Sequence, residues 1–432
     1  MRSATDPAAD LPLQPRAPIE RPLSAFEYYH ASVGIDRVRA APRAVTLVIE
    51  GEGADFEPDR WREALAVASA ANPGSRLRLV GGWWRARWTN DGRPPDLRFM
   101  ERCDWDGLSQ AGAEFIDAEP LSLQAGRTAE LILINRSPRG RLIVFRFLHA
   151  VMDGRGALHF LADLFRALRG DPPAGSNAGF SDADMMRRLG PGKAKSELVF
   201  TRRLTGRPRG KVPGYQWRRV FLDTDGRNIL ARVAAIKAAY FHRHSDLPAL
   251  ISVPVDVRAR MPGLFATTNF CNALLVRLDK GEGADIFRRR LQAMIDNRMD
   301  LYCPRMLGLL KVFPLRLLDR LVSGRQGDYR GRGAVDTAMI SNLGRLDSSE
   351  FSCGGFRPSR LFIVPPFNSQ VYSLLVGMDD RVELVLGMPN VLAGDGRFDD
   401  FVGFLHDRLA ETESGGGAPE RLADRAVTVP VH

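Results

Sequence analysis

The chain has 432 residues and a formal net charge of +10, with 61 Lys and Arg against 51 Asp and Glu. The length favours two domains over one core, and a content of 44% apolar and 26% charged residues excludes a disordered or fibrous chain. No apolar run approaches the roughly 18 residues of a membrane span, and the first residues lack the apolar segment of a signal peptide, so a cytoplasmic protein is expected. The cysteines, Cys103, Cys271, Cys303 and Cys353, stand far apart without a C-x-x-C spacing, which points to reduced thiols and no metal site.

In chain order, residues 1–19 lack periodicity and read as a mobile end. Residues 21–33 read as a helix capped by Ser24 and 44–51 as a strand. A helix over 58–69 places Trp61, Ala64, Leu65 and Ala68 on one face. Short alternating strands follow at 75–82 and 83–88. Segments 129–134 and 141–148 flank the turn-rich NRSPRG as a hairpin. A helix over 157–168 carries Leu158, Leu161, Phe165 and Leu168 on one face. Residues 170–214, rich in Gly, Pro and basic side chains, read as a linker between an N-terminal lobe, 20–169, and a C-terminal lobe, 215–411.

The second lobe restarts with a strand at 217–223 and a helix over 226–243, with Ile229, Val233, Ile236 and Tyr240 aligned. A strand over 247–258, a helix over 285–299 and a strand over 336–346 ending in a Gly turn come next. A hairpin over 371–388 turns at Asp379-Asp380, a helix over 397–409 closes the lobe, and 412–432 reads as a mobile tail. Strands and helices in both halves predict a mixed α/β (α+β) protein. The densest basic run, 193–211, falls in the linker and not on a helix face. With no zinc finger, RNP-like strand or basic zipper, nucleic acid is not expected as a partner.

The stretch FLHAVMDGRGALHFL, 147–161, carries the chemistry. Alternation along 141–149 sets Ile143, Phe145, Phe147 and His149 on one face and Leu142, Val144, Arg146 and Leu148 on the other. His149 follows three large apolar residues at the point where the chain must turn, and Asp153-Gly154 supplies the turn. An imidazole held there by apolar packing and reachable from one side suits a general base near neutral pH. A half-buried structural histidine fits the same spacing. His159, His242 and His244 read as non-catalytic. No G-x-S-x-G elbow is present, and no cysteine sits beside a histidine in a recognisable motif.

LHAVMDG resembles the H-H-x-x-x-D-G motif of the chloramphenicol acetyltransferase superfamily, which includes condensation domains and free-standing alcohol acetyltransferase-type enzymes. The resemblance continues in order over residues 20–412. RPLSAFE is similar to the family's P-L-S-x-x-E, and WREALAVASAANPGSRLRLV to its helix followed by R-H-P-x-L-R. VPVDVR with TTNF is similar to its P-V-D-L-R and G-N-F, and SNLG stands as in the family. Leu148 replaces the first histidine of the usual pair, and Asn72-Pro73 stands where His-Pro is common. The second half is also short between FLDTDG and SVPVDVR.

The resemblance implies two coenzyme-A-dependent-acyltransferase-like lobes in a V, with the active site in the tunnel between them. It implies His149 as the general base, Asp153 paired with Arg258 as a structural tie, and Gly154 giving a pantetheine arm room to pass. Ser341 and Asn342 would line the tunnel or face an oxyanion, although a plain turn explains them equally well. No bound cofactor is implied. The donor would be an acyl-CoA or a phosphopantetheinyl acyl-carrier protein, the acceptor a small hydroxyl or amine, and the enzyme a monomer. The expected activity is thioester-dependent acyl transfer in natural-product or lipid biosynthesis. Two alternatives stay open: a free-standing condensation enzyme joining carrier-bound substrates, and a non-catalytic docking member of the fold.

Overall fold

Strand β2 (Ala44–Gly53) and strand β7 (Gly140–Leu148) pair antiparallel, with Ala44 opposite Leu148. Both are buried along nearly their whole length, as strands at the centre of a sheet covered on both faces must be. Strand β6 (Ala129–Asn135) joins β7 as the expected hairpin, and β5 (Asp96–Met100) runs parallel to β6. The other edge comes from far down the chain, where β12 (Phe356–Val364) pairs antiparallel with β2. The sheet order is therefore β12-β2-β7-β6-β5.

A six-stranded sheet forms the second layer, in the order β10 (Cys271–Leu278), β9 (Ala249–Asp256), β11 (Ala338–Leu346), β13 (Tyr372–Met378), β14 (Arg381–Pro389) and β8 (Tyr215–Leu222). Alternation splits its side chains between two cores. Leu374, Val376 and Met378 face the core of the first sheet, while Leu375 faces a second core. That second core includes α5 (Ile229–Phe241), α6 (Ala284–Asp296) and the closing helix Arg397–Ser414. Small strands β1 (Glu20–Pro22), β4 (Arg87–Thr89) and β3 (Arg78–Val80) make a third sheet. These two mixed sheets with their helices are the two-lobed α/β architecture that the motifs imply.

This computed structural model describes residues 18–35, 43–82, 85–136, 140–192, 201–210, 212, 214–222, 226–303, 308–320, 334–366 and 370–414. The ends expected to be mobile lie largely outside these residues, as do Trp83 and Trp84 and residues 193–200 of the basic run. Within them, the first helix α1 (Ala25–Ser32) starts at the predicted cap: Ser24 and Glu27 form a reciprocal capping box. Helix α2 (Pro58–Ala71) packs on α3 (Gly154–Arg169), with Trp61 edge-on to Phe165 at 5.9 Å.

Three features differ from the sequence expectation. Strand β12 belongs to the first sheet although its sequence lies in the second half. Strand β11 does not end at its glycine: Gly344, at φ 75°, sits in a register shift between Asn342 and Arg345, and pairing with β13 resumes beyond it. Residues 170–214 are not an open linker. They contain α4 (Asp182–Leu189), and Leu204 is buried in the second core while Arg203 pairs with Asp336.

Buried charges join the two layers. Arg219 of β8 donates to Glu50 of β2 at 2.8 Å and to Glu383 of β14 at 2.7 Å, and Arg360 of β12 donates to Glu383 at 2.7 Å.

One buried charge stands apart. Lys237 of α5 is wholly enclosed, its Nζ donating to the Met339 carbonyl at 3.3 Å. Burial pulls its pKa down to about 7, against a partial upward pull from Asp336, where the ordinary value is 10.5. The unfolded chain therefore binds more protons between those values, so Lys237 opposes folding most at and below about pH 7 and progressively less as the pH rises toward 10.5. Lys237→Met should raise the melting temperature at neutral pH, and thermal unfolding should show that advantage shrinking steadily toward pH 10. A constant difference across this range would mean that Lys237 is charged in the folded protein.

Candidate active site

His149 is the first residue past β7, and its backbone is held from both sides. Its amide donates to the Arg43 carbonyl at 2.8 Å, one step beyond the β2–β7 register. Its carbonyl accepts from Asn269 Nδ2 at 2.8 Å. Leu148, which stands where the resembled motif carries its first histidine, is only 2% exposed and packs in the first core, where an aliphatic side chain suffices.

Burial lowers the His149 pKa and Arg43 adds to the effect, while the residue's own carbonyl, Asp153 and Asn269 pull the other way; the net shift is downward. That direction favours the uncharged ring. Its Nδ1 is shielded from solvent without a hydrogen-bond partner. A second imidazole lies against it: the ring of His30, from α1, stacks at 4.3 Å between centroids and 19° between planes. No sequence pattern links His30 to residue 149, since the contact depends on where α1 packs.

Asp153 caps α3, accepting from the Gly156 amide at 2.8 Å. Arg258, just beyond β9, donates through Nη2 to both Asp153 oxygens at 2.9 and 3.1 Å. The expected partners are thus in contact across 105 residues of sequence. Arg258 also donates through Nη1 to Asp256 at 2.9 Å, through Nε to the Ala266 carbonyl at 3.0 Å, and to the Thr268 carbonyl. Burial disfavours its charge, but Asp153 and Asp256 outweigh that and its pKa is raised. The Phe270 amide completes the set by donating to Asp153 Oδ2 at 2.8 Å.

Gly154 lies beside Leu343 of β11: a Cβ there would come within 2.9 Å of a leucine methyl. Gly156, which the sequence reading passed over, is far more confined, since a Cβ would fall 2.0 Å from the Thr267 carbonyl oxygen. Ser341 and Asn342 sit at the β11 bulge. Asn342 is exposed and accepts from the Gly344 amide at 2.9 Å, which shapes the bulge. Among the described residues no hydrogen bond links either of them to His149.

Asn72 is fully buried, donating to the Ala68 carbonyl at 3.0 Å and to Asp163 of α3 at 2.8 Å, and so fastens α2 to α3. The Asp163 carboxylate also accepts from the Ala174 and Gly175 amides, and His159 meets the Gly175 carbonyl at 2.8 Å. His242 sits by the Ser245 and Leu278 carbonyls. Cys271, at the start of β10, lies near Asp153 and Asp256. Burial and those carboxylates push its thiol pKa up, so it is not a thiolate nucleophile. Among the described residues no group of three or more His, Cys, Asp or Glu is placed to hold a metal ion, and no helix is long and apolar enough to cross a membrane.

No protein-family model matches the sequence, and no curated protein does. Solved structures do. The starter condensation domain of rhizomide synthetase RzmA, in a mutant complex with C8-CoA and Leu-SNAC, superposes with a TM-score of 0.65 at 15% identity, over 90% of this chain and 94% of that one. The chain has the condensation-domain fold. The condensation domain from Monacolin K polyketide synthase MokA gives 0.66 at 13% identity, over 92% and 98% of the two chains. The first condensation domain of the calcium-dependent antibiotic synthetase, with substrate analogue 3a, gives 0.65 at 18% identity, over 93% and 97%. Coverage this complete means that both lobes of the condensation-domain fold are present here.

Two expectations follow from the geometry. Asp153→Ala leaves the enclosed Arg258 short of one carboxylate, a change that costs about 3–5 kcal/mol in buried pairs; calorimetry should show a lower melting temperature together with lost activity. A variant that melts with the wild type yet is inactive would make Asp153 a chemical group and not a tie. Gly156→Ala should also destabilise, by about 1–3 kcal/mol as overpacking does, whereas Gly154→Ala, which meets only a movable methyl, should unfold close to the wild-type temperature.

Proposed function

We propose that the protein is an acyltransferase that moves an acyl group from a thioester to a hydroxyl or amine, with His149 as general base. The observation that carries this reading is the placement of the His149 imidazole: held through both sides of its peptide at the end of its strand and set beside the Asp153–Arg258 pair. A condensation-domain fold with the LHAVMDG turn at this position supports the same reading, as does the C8-CoA bound to the RzmA domain. The donor is an acyl-CoA or an acyl-carrier protein, and its thioester meets the acceptor in a tunnel between the lobes.

With Nδ1 shut off from solvent, Nε2 takes the proton of the acceptor as its oxygen or nitrogen attacks the thioester carbonyl. The new C–O or C–N bond forms, the C–S bond breaks, and the same proton passes from the imidazolium to the leaving thiolate. No covalent acyl-enzyme intervenes, in keeping with the high pKa of the Cys271 thiol. Arg258 holds Asp153, Asp153 holds the turn, and neither touches the reacting atoms. The second reading, amide formation with a carrier-bound amino acid, is favoured by the pairing of C8-CoA with Leu-SNAC in the RzmA complex.

Mass spectrometry of acyl-CoA and acyl-carrier donors mixed with pooled hydroxyl and amine acceptors should yield an acylated product, whose mass separates ester from amide. His149→Ala should lower turnover by about two to four orders of magnitude with the fold intact; retention of more than about a tenth of wild-type turnover would sink the base assignment and favour a docking role. Because the His149 pKa is lowered, the base stays unprotonated into mildly acidic solution. The acid limb of the kcat/KM profile should therefore have its midpoint below the ordinary histidine value of 6.5, and a midpoint above it would contradict the burial of the ring.

A further inference from the structure

We infer that His30 is a positioning residue for His149: its ring, stacked on the His149 imidazole, fixes the plane of that imidazole where no hydrogen bond to Nδ1 does so. The inference rests on the acyltransferase reading above and names a member of the same site.

A general base must point one nitrogen at its proton, and the orienting force usually comes from an acceptor on the other ring nitrogen. Here that nitrogen has none. Nδ1 of His149 is enclosed and without a hydrogen-bond partner among the described residues, the bonds to Arg43 and Asn269 hold its backbone amide and carbonyl, and the residue's own carbonyl and Asn269 also act on the ring. The contact that lies flat against the ring and sets its plane is the face of His30, at 4.3 Å and 19°. The second imidazole thus arrives from α1, not from residue 148, where the family motif carries one.

The placement of His30 is itself held. Helix α1 is fixed at its start by the Ser24–Glu27 capping box, and Glu27 is gripped by Arg21 at 2.6 and 2.8 Å. At its far side the Tyr28 hydroxyl donates to the Phe313 carbonyl at 2.7 Å. Tyr29 lies edge-on to His30 at 5.4 Å and accepts from Arg43 at 3.3 Å. The charged and titratable groups around the two rings are Arg43 and Tyr29 on the side of α1 and Asp153 on the side of the turn.

These surroundings act on both rings. Burial depresses the His30 pKa most, and His149 and Arg43 depress it further, to well below the ordinary value. His149 is lowered too, but Asp153 pulls it back. Charge is thus disfavoured on both rings, and on His30 the more strongly.

The test uses the full chain with His30→Ala and His30→Phe, the second of which keeps a flat ring in the stack. His30→Ala should lower kcat by about tenfold to a hundredfold, the scale of a small misplacement of a reacting group, with the KM for the donor unchanged, and His30→Phe should recover most of the loss. Wild-type kcat in the alanine variant would overturn the proposal. A phenylalanine variant as slow as alanine would also overturn it, because the ring nitrogens and not the ring face would then be needed. Nitrogen-15 NMR of labelled histidine gives a readout independent of turnover. The His149 side-chain resonances should be single and sharp in wild type and His30→Phe, and broadened or doubled in His30→Ala. Unchanged sharp resonances in His30→Ala would overturn the positioning role even if no substrate is found. Ordered His149 signals that depend on His30, in a protein inactive toward every thioester, would keep the positioning role and overturn the acyltransferase reading alone.

Discussion

The carboxylate of Asp153 receives hydrogen bonds from two parts of the molecule that are distant in sequence: Gly156 on its own helix, and Arg258 and Phe270 from the second half. It is 3% exposed, so its charge is sustained only by those partners. Taking both ions out of water costs several kcal/mol each, and such a pair holds only when the remaining donors and acceptors are also satisfied. Arg258 meets that condition with Asp256 and the carbonyls of Ala266 and Thr268. The consequence is geometric. The turn that ends β7 can occupy its position only when the segment 256–270 is in place, so the orientation of His149 depends on the second half of the chain being folded against the first.

The same dependence runs through the backbone around His149. Its amide is a continuation of the β2–β7 ladder, whereas its carbonyl is held by Asn269 from across the site. Three residues beyond Asp153, in the first turn of α3, close packing joins hydrogen bonding: Gly156 lets the helix lie directly against the Thr267 backbone. Residues 267–270 thus provide a surface for the helix and ligate the turn at once. Burial of the imidazole between these groups, reinforced by Arg43 and partly offset by Asp153, lowers its pKa.

Beyond the site, the two layers are joined by exchange of chain and by buried charge. Strand β12 leaves the second half to complete the first sheet, and Arg219 bridges Glu50 and Glu383 between the sheets. Leu374, Val376 and Met378 of β13 lie in one core while Leu375 lies in the other, so a single strand serves both. A boundary drawn on sequence alone cannot represent such an arrangement, because the cores share strands.

Local physics made much of this legible from residues. Apolar runs and turn signals located β2, β6, β13 and β14, alternation ordered the faces of β7, helical spacing located α2, α3 and α5, and Ser24 marked the start of α1. The position of His149 at the end of its strand followed from the run of apolar residues before it and the Asp-Gly turn after it. Strands β5, β10 and β12 went unseen: β5 is short, β10 carries Ala273 and Leu275 on its exposed face so that its alternation is blurred, and the first half of β12 holds Arg357, Pro358, Ser359 and Arg360. Of the site, the Asp153–Arg258 contact was reached through motif resemblance. His30, Asn269 and Gly156 needed the folded chain, since a ring stack, a side-chain bond to a distant carbonyl and a close backbone approach leave no period or spacing in the sequence. What local patterns determined was which side chains are buried and where the chain turns; which distant groups meet at His149 was decided by tertiary packing, because only there do buried polar atoms find the partners that burial demands.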